Sequence, residues 1–278
     1  MKKLLRSEIV RILFAIVVTL GLADLTVAAE KDARVTQVIK DVRLLVSSAG
    51  ARPATINEPV GEGQAVRTGI ESRAELTFTD QTITRLGANT VFTYNEGAKE
   101  FNLAKGAVLM CVPKQSGTVR INTAAATAAV TGFTAIFESQ KGGLCKVGIL
   151  EGQGCITLKK RPNEPCLEIG PGELITLRDG ATSFTEKKKF DIKRLASTGK
   201  LFTGFSNKLP KFALQEIQIA VDQQQQENGG PPPGGGYTDP TGTNKVDQKT
   251  AASSEPTPRA TPHGSPPGAR RDRPRRRN

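Results

Sequence analysis

Between residues 61 and 177 the chain leaves no room for a helix. Short apolar runs alternate with Gly, Asn or Asp corners: GEGQAVRTG at 61–69, AELTFTD at 74–80, QTITRL at 81–86 and NTVFTY at 89–94. The same phrasing returns in FNLAKGAVLM at 101–110, TGFTAIFE at 131–138, VGILEGQG at 147–154 and IGPGELITL at 169–177. Runs of this length, rich in Val, Ile, Thr and Phe and bounded by turn residues, are strands joined by tight turns. The region therefore reads as an all-β body. Its expected core comprises Val66, Leu76, Phe78, Ile83, Leu86, Val91, Phe92, Leu103, Val108, Ile121, Val130, Phe137, Val147, Ile149, Leu150 and Ile156.

Both ends of the chain read differently from this body. Residues 1–29 run from a basic start (Lys2, Lys3, Arg6) through an apolar stretch at 12–22 to the small-residue exit TVAA at 26–29, the order of a secretory signal peptide cut after Ala29. An uncleaved anchor is the alternative, disfavoured by the short apolar run and by Asp24 at its outer edge. From Gln223 onward the composition turns to Gln, Gly, Pro, Ser and Thr and ends in RRDRPRRRN, a segment unable to bury enough apolar surface to order itself. The organisation expected is thus a signal peptide at 1–29, a β domain at 30–180, a short helical or capping segment at 181–222 and a disordered basic tail at 223–278. Within the capping segment, FALQEIQIAV at 212–221 fits either a helix or a strand by spacing, and its Gln and Ala favour a helix.

The net charge of +12 is distributed along these parts. The signal segment has four basic residues against two acidic, and the tail nine against five, so +6 remains on the body. The tail cluster Arg270, Arg271, Arg273, Arg275, Arg276 and Arg277 could hold nucleic acid, but an exported protein rarely meets it. Anionic lipid, lipopolysaccharide or an acidic wall polymer fits the location better, and a merely solubilising tail is the plainer alternative.

Four cysteines, Cys111, Cys145, Cys155 and Cys166, all lie in the body. An even number in an exported chain favours disulfides, with three pairings open. Buried free thiols are the main alternative. A zinc cage is disfavoured because no C-x-x-C hook is present. The lone histidine, His263, lies in the tail, so no Ser-His-Asp or Cys-His pair can form in the folded part. No P-loop, dinucleotide fingerprint or H-E-x-x-H occurs. The acidic residues Glu62, Glu71, Asp80, Glu96, Glu138, Glu151 and Glu173 are the only acid–base candidates, and most sit beside Gly at turns, where geometry and solubility account for them. No catalytic, cofactor or metal residues are assigned, and the expectation is a protein that is not an enzyme.

Taken in order, these phrases resemble the FecR periplasmic domain over about residues 34–177. The most specific run is VGEGQAVRTGIESRAELTFTDQTITRLGANT at 60–90, a Gly-led turn followed by a T-G-x-x-S-x-A-x-L step, a strand, an Asp turn and a second strand ending in N-T. LAKGAV at 103–108 is similar to the family's L-x-x-G-x-V step, and INTAAATAAVTGFTAIF at 121–137 to its T-P-x-A-x-A-x-V-x-G-T-x-F segment, with Ala124 in place of Pro and Phe133 in place of Thr. The Gly usual between the first two strands is absent around Lys40 and Asp41. The resemblance implies a twisted β-solenoid-like or sandwich-like all-β unit. The most economical role for the segment after it is to cap the open end of the β stack.

Family regulators carry a cytoplasmic segment that grips a sigma factor, then one membrane helix. Only some ten residues precede the apolar run here, so that role is not carried over. The expectation is an exported, non-catalytic binding or scaffold module at the cell envelope, partnered by an envelope protein or an anionic polymer or lipid, with self-association through end strands open. The alternatives are a sensor working with a separate membrane or sigma-factor partner, and a protein acting on cell-wall glycan.

Overall fold

Three long strands, each bent once at a glycine, carry the architecture. They are β9 (Glu100–Val112), β11 (Ala126–Ser139) and β12 (Leu144–Leu158). The computed structural model describes residues 33–46, 50–95 and 99–228, so the signal segment, Glu96, His263 and the tail arginines lie outside the described residues. The other strands are β1 (Ala33–Ile39), β2 (Val42–Val46), β3 (Gly50–Pro53), β4 (Pro59–Val60), β5 (Ala65–Thr68), β6 (Arg73–Phe78), β7 (Ile83–Leu86), β8 (Val91–Asn95), β10 (Thr118–Asn122), β13 (Leu167–Ile169), β14 (Glu173–Arg178) and β15 (Lys188–Lys189). All belong to one hydrogen-bonded sheet that does not close on itself.

The long strands change neighbours at their bends, and this folds the sheet into two layers. Residues 100–105 of β9 pair with β8, whereas 108–111 pair with β7. Residues 127–131 of β11 pair with β10, and 133–139 with the second half of β9. The start of β12 pairs with β14 and its end with β13. One layer therefore runs β3-β2-β5-β8-β9-β10-β11-β12-β13. The other runs β4-β1-β6-β7-β9-β11-β12-β14-β15. Of the two architectures expected, the sandwich-like one forms. The pairings that build it join residues far apart in sequence, whereas a stack of turns would need only adjacent repeats.

Each bend also reverses which side chains face inward. In β9 the inward residues are Phe101 and Leu103, then Val108, Met110 and Val112. In β11 they are Ala126, Ala128 and Val130, then Phe133, Ala135 and Phe137. In β12 they are Cys145, Val147 and Ile149, then Ile156 and Leu158. A strand has period two, so a one-residue slip moves every side chain to the other face. Bulges at the bends supply that slip: the β8–β9 register shifts between Val91 and Phe92, and the β11–β12 register between Thr131 and Ala135. The interior thus stays apolar in both layers although the strands turn a corner.

Glycine is required where two bends touch. Gly152 has φ +85°, and a Cβ there would lie 2.5 Å from the Gly132 carbonyl oxygen. Gly132 itself has φ +53°, with Lys114 Cα 2.8 Å from where its Cβ would be. Only a residue without Cβ takes this conformation at this separation.

The expected core is largely realised. Fourteen of its residues are buried; Ile83 and Val91 are only half-buried. Leu150 faces the opposite side of its layer and joins a second cluster with Leu109, Cys111, Ile136 and Leu174. The first turn resolves the missing family glycine: Lys40 itself takes a positive φ of 60°.

That second cluster is covered by helices α1 (Ile192–Thr198), α2 (Lys200–Thr203) and α3 (Lys211–Asn228). They lie on the outer face of the second layer, not over the end of a stack, because its central strands are apolar on both sides. The helix expected at 212–221 forms and runs on through Asn228. Residues 223–228, expected in the tail, thus belong to this helix, since Gln and Glu continue a helix well. Gln224 is buried, and it donates to the Phe190 carbonyl at 2.8 Å and accepts from Ile192 N–H at 3.1 Å.

A buried cation anchors the connection between α2 and α3. Arg85 is wholly buried, 2.8 Å from Glu75. It donates to the carbonyls of Leu201, Phe202 and Asn207, and its guanidinium lies 4.5 Å from the Phe205 ring centre. Glu75 also accepts from Thr36, while Arg73 donates to the Gly204 carbonyl and Gln37 accepts from Ser206 N–H.

Two stability outcomes follow. Gly152→Ala should lose about 2–4 kcal/mol through strain and overlap. Gly63→Ala, whose φ is also positive but which has open space around it, should lose about 1 kcal/mol. Equal losses in urea unfolding would show that the crossing is not the tight point. Arg85→Met, which strands Glu75, should cost about 3–5 kcal/mol, with part regained by adding Glu75→Gln. A loss unchanged by the second substitution would place the cost in packing alone.

Candidate functional site

The two outer faces of the sandwich differ. The second layer buries its outer face under helices, while no outward residue of the first layer's central strands is buried. On that first-layer face, register aligns one polar row across five strands: Thr93, Asn102, Asn122, Thr127 and Thr157. The row is internally bonded. Asn122 donates to Asn102 Oδ1 at 3.1 Å and to Glu100, and Thr127 donates to Asn122 Oδ1 at 2.6 Å. Thr118 and Thr131 pair at 3.0 Å nearby. The middle of the row is thus a set of amide and hydroxyl groups that hold one another in place.

The Cys155–Cys166 disulfide edges this face, closing the loop between β12 and β13. Cys111 and Cys145 are free and buried on opposite sides of the second layer, Cys111 beneath the helices and Cys145 in the core between layers. The four candidate sulfurs therefore divide into one bridge and two separate thiols. Burial pushes the Cys111 thiol up to about 12, so it stays protonated at neutral pH. Among the described residues no three His, Cys, Asp or Glu side chains gather as a metal site would need.

The acidic candidates are dispersed. Glu71 pairs with Lys40 on exposed turns, which holds its carboxyl below the usual range. Asp80 accepts from Thr82 N–H within its own turn, and Glu173 pairs with Lys187 at 2.8 Å. Glu138 is buried with Lys146 at 3.4 Å. Glu151 is different. It stands just before Gly152 near α3, where burial, and then the charge of Glu216, push it up to about 7. Lys114 pulls the other way, bonded to Glu216 at 2.7 Å, and its side chain packs on Gly132. The sequence offered no sign of Lys114 or Glu216 here, since their meeting depends on where α3 docks.

At the other end of the sandwich, Phe78, Tyr94, Phe101 and Val119 line a cavity of about 250 Å³ with Asp80 and Lys99 at its mouth. The ring centres of Phe78, Tyr94 and Phe101 lie 4.9–5.2 Å apart, so the aromatics mainly brace one another. Among the described residues no helix is long and apolar enough to cross a membrane.

Residues 64–153 match the family model described as FecR protein. No curated protein matches the chain. Similar solved chains include two that are each described as a candidate anti-sigma factor from Parabacteroides distasonis ATCC 8503. One is 17% identical with a TM-score of 0.39, over 45% of this chain and 59% of its own. The other is 14% identical with a TM-score of 0.40, over 59% of this chain and 91% of its own.

The raised Glu151 yields a pH signature. Its folded value is about 7, against about 4.3 in an unfolded chain. Between those values the folded state keeps a proton that the unfolded state has lost. The group's contribution is therefore full below about pH 4.3 and is lost as pH rises through 7. Glu151→Gln should match the parent near pH 4.5 and exceed it by about 1–2 kcal/mol at pH 8. Urea midpoints across pH read this difference, and a difference independent of pH would overturn it.

Proposed function

Starting from residues 64–153 as a FecR domain, we propose that the protein is an exported, non-catalytic binding or scaffold module of the cell envelope, and that its partner is another envelope protein. The observation that carries this reading is the asymmetry of the faces. The second layer spends its outer surface on the chain's own helices, and the first layer offers a rigid polar one. Side chains already bonded to one another lose little freedom on contact, which favours association. The Cys155–Cys166 bridge supports an oxidising compartment and so export. The dispersal of the acidic candidates among the described residues fits a binding role.

A second reading is favoured by the family match: a regulatory signalling component working with a separate membrane or sigma-factor partner. Both readings use the same face and differ in what its occupation reports.

A photo-crosslinking residue placed at Thr93 or Thr127 should give a discrete adduct with one envelope protein, while the same residue at Ser197 on α1 gives none. Absence of adducts from both face positions would sink the binding reading. A fusion of residues 1–228 to a phosphatase active only outside the cytoplasm should be active, and an inactive fusion would remove export. Transcript levels separate the two readings: deletion of the gene changes a sigma-dependent set in the signalling case and leaves it unchanged for a scaffold.

A further inference from the structure

The first-layer face has a second row, and its charges do not balance. Register places Arg43 opposite Arg67, Arg67 opposite Val91, and Val91 opposite Lys105, across β2, β5, β8 and β9. Like charges directly opposite each other on a sheet are unfavourable. Arg43 is relieved by Asp41, whose Oδ1 accepts from its Nε at 3.0 Å. Neighbouring Lys40 is likewise relieved by Glu71. Among the described residues Arg67 and Lys105 have no hydrogen-bond or ion-pair partner.

Both cations open into one depression of about 560 Å³, lined with them by Asn89, Val91, Gly69 and Asp41. Their roots are fixed. Arg67 stands between buried Val66 and Thr68. Lys105 precedes Gly106, whose φ of +95° and 2.4 Å approach of its would-be Cβ to Thr90 Cα pin the bend. The β8–β9 bulge at this point aims Lys105 outward beside Val91. Asn89 N–H is held by the Gly69 carbonyl at 2.9 Å, and its side-chain amide has no partner among the described residues.

We propose that Arg67, Lys105 and the Asn89 amide form a binding site for a phosphate group. A phosphate has oxygens enough for the planar Arg fork, the Lys ammonium and an amide donor together, and its charge neutralises the two unmatched cations. Asp41 also lines the depression, its charge matched by Arg43. The site lies on the face assigned above to binding and rests on that reading, yet it is tested without any protein partner. The phosphate can come from a lipid headgroup or from a soluble phosphate.

The test uses the mature chain labelled with nitrogen-15 and titrated with inorganic phosphate, against chloride at equal ionic strength. Saturable amide shifts are expected at residues 67, 89 and 105, with affinity about 10-fold weaker in Arg67→Ala and in Lys105→Ala. Arg67→Lys should retain part of the binding. All three substitutions leave buried contacts intact, and unchanged melting confirms the fold. Saturable shifts that persist in the double variant overturn the site, as do linear shifts together with vesicle binding that is absent or survives the double substitution. Flotation with phosphatidylglycerol vesicles, compared with phosphatidylcholine, resolves the source. Vesicle binding lost in the double variant without a response to free phosphate assigns a lipid headgroup, and a response to free phosphate assigns the soluble group as sufficient.

Discussion

The contact between Gly132 and Gly152 is the constraint on which the rest depends. Two strands of 14 and 15 residues turn the same corner side by side, and their backbones come close enough that neither tolerates a side chain at the turn. Without that corner β11 and β12 would run straight, and each would belong to one layer only. The slip that accompanies it exchanges inward and outward residues, so Val130 and Phe133 both reach the interior although their sequence parity differs. The same geometry at Gly106 in β9 gives three strands shared by both layers. The sandwich is thereby joined through its middle by covalent chain, and its edges are left short: β4 and β15 have two residues each, and β15 is a pair of lysines.

Once the corner is made, the outward face of the second layer is apolar, because Leu109, Ile136, Leu150 and Leu174 lie on it. Exposed, such a patch would invite association. The helices cover it, and their placement is specified by polar contacts, not by apolar area alone. Arg85 and Glu75 are costly to bury as single charges, but they pair with each other, and Arg85 also donates to the carbonyls of Leu201 and Phe202 in α2 and of Asn207 in the connection after it. A carbonyl in an irregular segment needs a donor, and Arg85 supplies several from one side chain. The helical segment and the β body are thus parts of a single packed unit, and the free surface of that unit is the first layer.

Much of this was legible in the sequence. Period-two runs and Gly corners located nearly every strand of the body, and the resemblance carried by residues 60–90 agreed with the family match. What escaped depended on register. Val91 reads as core because its neighbours are apolar, yet it stands between Arg67 and Lys105 on the outer face. Arg85 carries no mark in the sequence, since arginine is usually exposed, and only the fold buries it against residues more than a hundred positions away. Gln223–Asn228 reads as low-complexity tail, since composition cannot reveal that Gln224 bridges α3 to the start of α1. The cysteines left three pairings open, and proximity across the β12–β13 turn selects one bridge.

The bends also explain where the chemically distinctive side chains stand. Lys105 immediately precedes Gly106, and Glu151 immediately precedes Gly152. At a bulged corner the residue before the glycine escapes the regular alternation, so it can be polar without breaking an apolar face. In β9 that freedom sends a lysine onto the open face; in β12 it sends a carboxylate near α3, where its charge is disfavoured near neutrality. One backbone device therefore does two things in this chain. It turns the strands between layers, and it creates the few positions in a tightly alternating sheet where charge can be placed against the pattern.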